Sequence, residues 1–172
     1  HHTDVLIDEW DILKGKQFDL TMEDNQKLLL HKIKEGHYHC LLLTPPCNTW
    51  SRVLFANNWG PRPVRDARHP LGYPWLSDKM AERAAVGNTL VFFSSEALAI
   101  ASTSSCSRPG GPAFFIEHPE DLGTMADIHG RKAHPASIWQ LPDIRKFDTH
   151  HGAFTRAFHQ CDFGAPYSKP TR

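Results

Sequence analysis

Short apolar runs alternate with longer amphipathic stretches along this chain, and most runs end at a glycine or proline. Residues 38–44 and residues 113–116 are the two apolar runs that predict buried strands. Between residues 21 and 36, leucines and an isoleucine recur at helical spacing, which predicts a helix that starts near Thr21 and ends at Gly36. A longer apolar helix is predicted over residues 79–102.

Weaker patterns predict four further elements. Residues 5–7 form an apolar run that predicts a strand ending near Asp8, and residues 17–20 predict a second, very short strand. Residues 138–147 predict a short helix interrupted at Pro142, and residues 154–160 predict another strand. Strands and helices therefore alternate, which predicts the α/β class with a mainly parallel sheet, in one domain covering residues 1–172.

Composition limits the choice of partner and compartment. The chain has 172 residues, with 19 Lys and Arg balanced by 19 Asp and Glu, so nucleic-acid binding would require a local basic patch. The four cysteines (Cys40, Cys47, Cys106 and Cys161) are scattered, which favours a reducing, intracellular setting over a disulfide framework. No apolar run reaches the length of a membrane span, and no leader opens the chain, so no membrane partner is expected.

Histidines are numerous, with 12 in the chain, and two groups invite a metal interpretation. One group is His37-x-His39-Cys40, and the other is the pair His150-His151. Structural zinc sites usually show paired ligands at short regular spacing, such as Cys-x-x-Cys, and the chain has none. The sequence therefore predicts no metal site.

Candidate chemistry lies where each predicted central strand ends. Pro45 and Pro46 stop the first strand, and Cys47 follows at the end where open α/β sheets place their ligands. Glu117 follows the strand of residues 113–116 in the same way. Cys47 is thus a candidate nucleophile, the alternative being a small apolar packing residue. Glu117 is a candidate acid–base group, the alternative being a cap on a helix begun near Pro119.

Residues 48–78 form a long stretch that is rich in proline and predicted to be irregular. Arginines are interleaved there with tryptophans and a tyrosine: Arg52, Arg62, Arg65, Arg68, Trp50, Trp59, Tyr73 and Trp75. A long irregular segment inside a domain is usually functional, and arginine with aromatic rings suits nucleic acid. Alternatively, the rings pack inward and hold a structural loop against the sheet.

The segment Pro45-Pro46-Cys47-x-x-Trp50-Ser51 resembles the Pro-Cys motif of cytosine-C5 methyltransferases. Glu117 stands where that family has the glutamate of its Glu-Asn-Val motif, with His118-Pro119 replacing Asn-Val. The resemblance implies a doubly wound, mainly parallel sheet of the S-adenosylmethionine-dependent type. It also implies that Cys47 attacks the cytosine ring while Glu117 contacts ring nitrogen 3. DNA is then the expected partner, contacted by Ser51, Arg52, Arg62, Arg65 and Arg68.

The same resemblance implies which residues would meet S-adenosylmethionine. Asp8 or Glu9 would hold the ribose, Asp19 and Leu20 would lie beside the adenine, and Pro45 would flank the cofactor. The family's first strand and glycine-rich loop should precede Val5, where only four residues stand. We therefore expect an N-terminally incomplete methyltransferase fold that binds the cofactor weakly or not at all.

Three functions stay open at the level of sequence. The first is a methyltransferase that acts on cytosine C5 in DNA. The second is a catalytically inactive methyltransferase-fold module of a larger, mobile-element protein, whose other domains would be its partners. The third is an amino-group nucleic-acid methyltransferase. Cys47 argues against the third, because that class generally follows its prolines with an aromatic residue.

Overall fold

The structure, a computed structural model, describes residues 4–103, 112–150 and 153–172. Cys106 and His151 lie outside the described residues. Within the described part, the α-helices are α1 (Glu23–Lys34), α2 (Val53–Ala56), α3 (Asp78–Thr103) and α4 (Pro142–His150). The strands are β1 (Cys40–Leu43), β2 (Ala113–Ile116), β3 (Met125–Ala126), β4 (Lys132–Ala133), β5 (Phe158–His159) and β6 (Pro170–Thr171).

Strands β1 and β2 form the central parallel pair, with Leu41 opposite Phe114 and Leu43 opposite Ile116. Helix α3 is the crossover that joins them, which makes a βαβ unit. The described residues contain two other sheets, the antiparallel pairs β3–β4 and β5–β6. A mixed α/β fold is therefore confirmed, but no large doubly wound sheet is present among the described strands.

The two faces of the parallel pair differ in burial. Leu41 packs with α1 and α3 in a core cluster, whereas Leu42 and Phe115 face the other way and are largely exposed. Parallel sheets are ordinarily covered on both faces, which is why their strands are apolar throughout. The apolar sequence of β1 and β2 thus fits a pair of strands that is covered on both faces, whereas only one face is covered here.

Helix α1 ends as the sequence predicts but begins differently. Gly36 has φ 75° and its amide donates to the carbonyl of Ile33 at 3.0 Å, so glycine ends the helix. The helix begins at Glu23 rather than at Thr21, whose amide and hydroxyl both donate to the carboxylate of Asp19. Five residues connect α1 to β1.

Helix α3 joins the two parts of the core. It contributes Phe93, Ala97 and Ala101 to the cluster around Leu41, and Val91 to a second cluster around Trp50. It is also long and apolar enough to cross a membrane, contrary to the expectation from sequence. Half of the most apolar stretch of α3 is buried inside the fold, as in the core helix of a globular domain.

Four weaker predictions are wrong in detail. Residues 5–7 form no strand, and the side chains of this apolar run are exposed because no neighbouring strand lies beside them. Lys16–Phe18 is a 3₁₀ turn instead of a strand, and only Phe158–His159 is extended within the predicted strand of residues 154–160. Pro142 does not interrupt a helix but starts α4, where its missing N–H costs nothing.

Candidate functional site at the carboxyl edge of the parallel pair

Cys47 and Glu117 leave the same edge of the parallel pair. Leu43 and Ile116 are paired residues at the ends of their strands, and the amide of Glu117 donates to the carbonyl of Leu43 at 2.9 Å. Cys47 follows Leu43 by four residues, so the Cα atoms of Leu43 and Cys47 lie at most about 14 Å apart. The fold therefore brings the two candidate catalytic residues to one side of the molecule.

The Cys47 loop is a tight turn. The carbonyl of Cys47 accepts hydrogen bonds from the amides of Trp50 and Ser51, at 3.0 and 2.9 Å. Pro45 is buried beneath the turn, and Cys47 is half-buried with a free thiol. Because two prolines precede the turn, the backbone that carries the thiol has little freedom. This arrangement suits a nucleophile that must be held in place.

Arg65 anchors this turn to helix α3. Its side chain is 1% exposed and lies against the Trp50 ring, with 3.9 Å between the guanidinium carbon and the ring centroid. The guanidinium donates four hydrogen bonds, to Thr49 Oγ1, to Asn88 Oδ1 and to the carbonyl oxygens of Pro70 and Ala84. This side chain is withdrawn from solvent into the fold, so it lacks the exposure that the predicted nucleic-acid contact requires.

Gly87 makes that anchor possible. A Cβ at this helical position would lie 2.7 Å from Thr49 Oγ1 and 3.3 Å from the Nη2 of Arg65. Only a residue without a side chain lets the helix approach the turn so closely. Burial lowers the pKa of Arg65 to about 10, which still leaves the guanidinium charged at neutral pH. The charge has no carboxylate partner among the described residues and is held by neutral acceptors and the indole face.

Glu117 is paired with the last strand of the described chain. Its carboxylate accepts from Lys169 Nζ at 3.2 Å, and it is half-buried. The backbone of residues 118–120 pairs with residues 170–172 through three hydrogen bonds of 2.9–3.0 Å. Residues 117–120 therefore continue β2 as extended chain, and the alternative of a helix begun near Pro119 is wrong.

His118 lies inside the fold next to these groups. It is 1% exposed, and neither of its buried ring nitrogens makes a well-formed hydrogen bond with the described residues. Burial, and then the positive charge of Lys169, lowers the pKa of His118 to about 3. The ring is therefore neutral at physiological pH and fills space where the resembling family has asparagine.

The two strand exits meet at a narrow crevice. Trp50 and Arg52 line one side, and the segment Pro119–Gly123 lines the other, with a cavity of about 10 Å³ between them. Such a volume holds about one water molecule and is much smaller than a nucleobase. This crevice therefore has polar groups on its walls but is too small to admit a base.

The residues expected to hold S-adenosylmethionine do not form one site. Asp8 pairs with Lys32 at 3.0 Å and with the hydroxyl of Tyr38, and the Tyr38 hydrogen bond is the main cause that lowers the pKa of Asp8. Tyr38 precedes β1, so Asp8 lies at the amino end of the strand, opposite Cys47. Asp8 borders an open surface cavity of about 270 Å³ at that end.

The other expected cofactor residues are engaged elsewhere. Glu9 pairs with Lys14, and Asp19 is occupied by Thr21 before the start of α1. Leu20 packs against the first core cluster. Asp8 and Asp19 lie beside opposite ends of α1, whose 12 residues extend about 18 Å. These positions do not fit the ribose and adenine of one cofactor molecule, and we derive no step through it.

The remaining residues expected to contact nucleic acid differ in exposure. Arg62 and Arg68 are exposed, and Arg62 donates to Asn58 Oδ1 at 3.1 Å. Arg52 borders the narrow crevice, and the hydroxyl of Ser51 accepts from the amide of Val53. Arg62 and Arg68 therefore keep the exposure that a phosphate contact requires.

The described residues contain no cluster of histidine, cysteine and carboxylate side chains that could hold a metal ion. His37, His39 and Cys40 lie at the start of β1, where His39 and Cys40 are exposed on successive positions of an extended chain. Of the pair His150-His151, His151 lies outside the described residues.

The sequence patterns did not identify several residues that contribute to the carboxyl edge. Gly87 had a usable signal, since a glycine within an apolar helix often marks a close approach of another segment. Asn88 and Lys169 had none, because an isolated polar residue gives no indication of which distant group it meets.

No family model, no curated protein and no solved structure matches this chain. The resemblance to cytosine-C5 methyltransferases therefore depends on the residues quoted above and on their placement.

Proposed function

We propose that this chain is a nucleic-acid-binding module of the cytosine-C5 methyltransferase type, with a cytosine-directed edge formed by Cys47 and Glu117. The observation that supports it is the register of the parallel pair, since Leu43 opposite Ile116 puts both residues beyond the same strand ends. Its sheet would belong to a larger doubly wound, mainly parallel fold. DNA is the partner that the resemblance implies.

The chemistry of this edge would consist of addition to the cytosine ring. The thiolate of Cys47 adds to carbon 6, and the ring electrons move to carbon 5, which becomes nucleophilic. Glu117 would exchange a proton with ring nitrogen 3 as charge develops there. Carbon 5 can then take a proton from water, and loss of a carbon 5 proton with expulsion of the thiolate restores the aromatic ring. This sequence uses only groups that the chain supplies.

The module as arranged does not supply methyl transfer. Asp8, Glu9 and Asp19 are each engaged by their own neighbours, and Asp8 lies at the opposite strand end from Cys47. This separation favours a module that lacks methyl transfer over the complete methyltransferase.

Hydrogen exchange at cytosine carbon 5 tests the proposal without any cofactor. A single-stranded oligodeoxynucleotide with one cytosine is incubated with the whole chain in D₂O, and mass spectrometry measures deuterium in the base. We expect incorporation with the parent chain and a loss of at least 100-fold in Cys47→Ser, since the thiolate is the attacking group. Glu117→Gln should lower the rate about 10- to 100-fold.

Cys161→Ser is the matched control, because Cys161 is an exposed free thiol outside the candidate site. Equal exchange in the parent and in Cys47→Ser, or no exchange above the protein-free rate, would contradict the assignment of Cys47. Brief labelling with iodoacetamide gives an independent check, since Cys40 and Cys161 are more exposed than Cys47. Labelling of Cys47 first would therefore indicate activation of the thiol and not mere accessibility.

A further inference from the structure

Three aromatic rings form a cluster on the surface of the proline-rich loop. Tyr73 and Trp75 stack face to face, with centroids 5.1 Å apart and planes 10° from parallel. His69 lies edge-on to both, at 5.7 Å from Tyr73 and 5.3 Å from Trp75. Neither Tyr73 nor Trp75 belongs to either core cluster, and Trp75 is 70% exposed.

This aromatic platform (His69, Tyr73 and Trp75) is held by hydrogen bonds of its own loop. The carboxylate of Asp66 accepts from the amides of Arg68 and His69 and pairs with His69 Nδ1 at 3.2 Å. The amide of Tyr73 donates to the carbonyl of Val64 at 2.9 Å. The rings are therefore fixed before any ligand arrives, so binding loses little conformational entropy there.

The charges near the platform suit a polyanion. Arg68 directly precedes His69 and is exposed, and Arg62 in the same loop is exposed and bonded only to a neutral amide in the described part. Asp66, the nearby acid, is used by three donors of its own turn. Burial, and then Asp66, raises the pKa of Tyr73 to about 12, so its ring adds no negative charge at neutral pH.

We propose that the exposed face of Trp75 stacks on one base of single-stranded nucleic acid, while Arg68 and Arg62 contact the flanking phosphates. An exposed indole beside arginine is the arrangement that single-strand binders use. A base inside a duplex has no free face to offer. The proposal rests on the proposed function in taking nucleic acid as the partner, and it specifies the single-stranded form.

Binding of a fluorescent single-stranded oligodeoxynucleotide, followed by anisotropy, tests this platform. Trp75→Ala should weaken binding about 5- to 150-fold, the loss that corresponds to one stacked base. Trp75→Phe should retain most of the affinity, because it keeps an aromatic face. Trp59→Ala is the matched control, since Trp59 is 89% exposed in the same loop. Thermal melting of each variant verifies that the fold is kept.

Tryptophan fluorescence gives a second measurement of the same contact. Stacking on Trp75 should quench tryptophan fluorescence when the oligonucleotide is added, and this quenching should disappear in Trp75→Phe. Equal affinity of the parent and Trp75→Ala, equal losses in Trp59→Ala and Trp75→Ala, or the absence of single-strand binding would overturn the proposal. Loss of affinity in Trp75→Ala without carbon 5 exchange would support the platform while contradicting the proposed function.

Discussion

Two parts of one loop have the same kinds of residues and opposite surroundings. In the inner part, Arg65 and Trp50 stack on each other inside the fold, against helix α3. In the outer part, Arg68 is exposed beside a platform that ends in the exposed Trp75. An arginine next to a tryptophan is therefore a structural anchor in one place and a ligand-binding candidate in the other.

The difference in burial between Arg65 and Arg68 depends on the space and the hydrogen-bond acceptors that helix α3 provides. Gly87 leaves room for the turn, while Asn88 Oδ1 and the carbonyl of Ala84 accept from the guanidinium of Arg65. A buried arginine needs such acceptors, because an unpaired charge in the interior is strongly unfavourable. Arg62 and Arg68 have no comparable set of acceptors among the described residues and stay in water.

Removing the inner anchor should produce the largest effect. Arg65→Ala leaves Thr49, Asn88 and the carbonyl oxygens of Pro70 and Ala84 without their donor, and it exposes one face of Trp50. We expect the free energy of unfolding, from urea denaturation, to fall by about 3 kcal/mol or more. Arg68→Ala in the same loop should change it by less than about 0.5 kcal/mol. Similar losses in both variants would remove the distinction between inner and outer parts.

Acid should also destabilise the fold, through the buried His118. Its folded pKa of about 3 lies below the unfolded value of 6.5, so the unfolded chain takes up a proton first as the pH falls. Stability from this residue is intact above pH 6.5 and decreases by about 1.4 kcal/mol per pH unit from there toward pH 3. Between pH 7 and pH 5 the loss should reach roughly 2 kcal/mol.

Urea denaturation at pH 7 and pH 5 measures this change. In His118→Asn the titrating group is absent, so the part of the pH dependence due to His118 should vanish even if the variant is less stable overall. His129→Asn is the control, because His129 is exposed on the surface. The same pH dependence in the parent and in His118→Asn would show that the ring is not held neutral by burial.

Sequence patterns predicted the local elements better than their surroundings. The bounds of β2, the end of α1 at Gly36 and the long helix α3 follow from apolar runs and break signals that lie within each segment. The extent of the sheet could not be predicted, since it depends on strands that pair across long separations. Residues 5–7 show that an apolar run alone does not predict a strand, because such a run becomes a strand only where a partner strand lies beside it.

For the site residues, too, local sequence was informative only where a role does not depend on a distant contact. The order of Cys47 and Glu117 along the chain was enough to predict a shared edge, because parallel strands end on the same side. The roles of Asp8 and Arg65 could not be predicted, since each depends on a contact made by folding, with Tyr38 in one case and α3 in the other. Composition alone does not determine which arginine of a loop is buried.

The smallest expected effect concerns the exposed arginines of the outer part. If Arg62 and Arg68 each contact one phosphate, the double variant Arg62→Ala/Arg68→Ala should reduce the salt dependence of single-strand binding. The slope of log K against log salt should become shallower by about 1.4, or about 0.7 for each contact. Anisotropy titrations between 50 and 200 mM salt would measure this slope.

The control is Arg145→Ala, which removes an exposed charge from α4 and should leave the slope unchanged. A slope altered equally by both changes would mean that net charge, and not the outer part of the loop, governs binding. An unaltered slope in the double variant would assign these two arginines to solvent, leaving the loop with its anchoring role on α3.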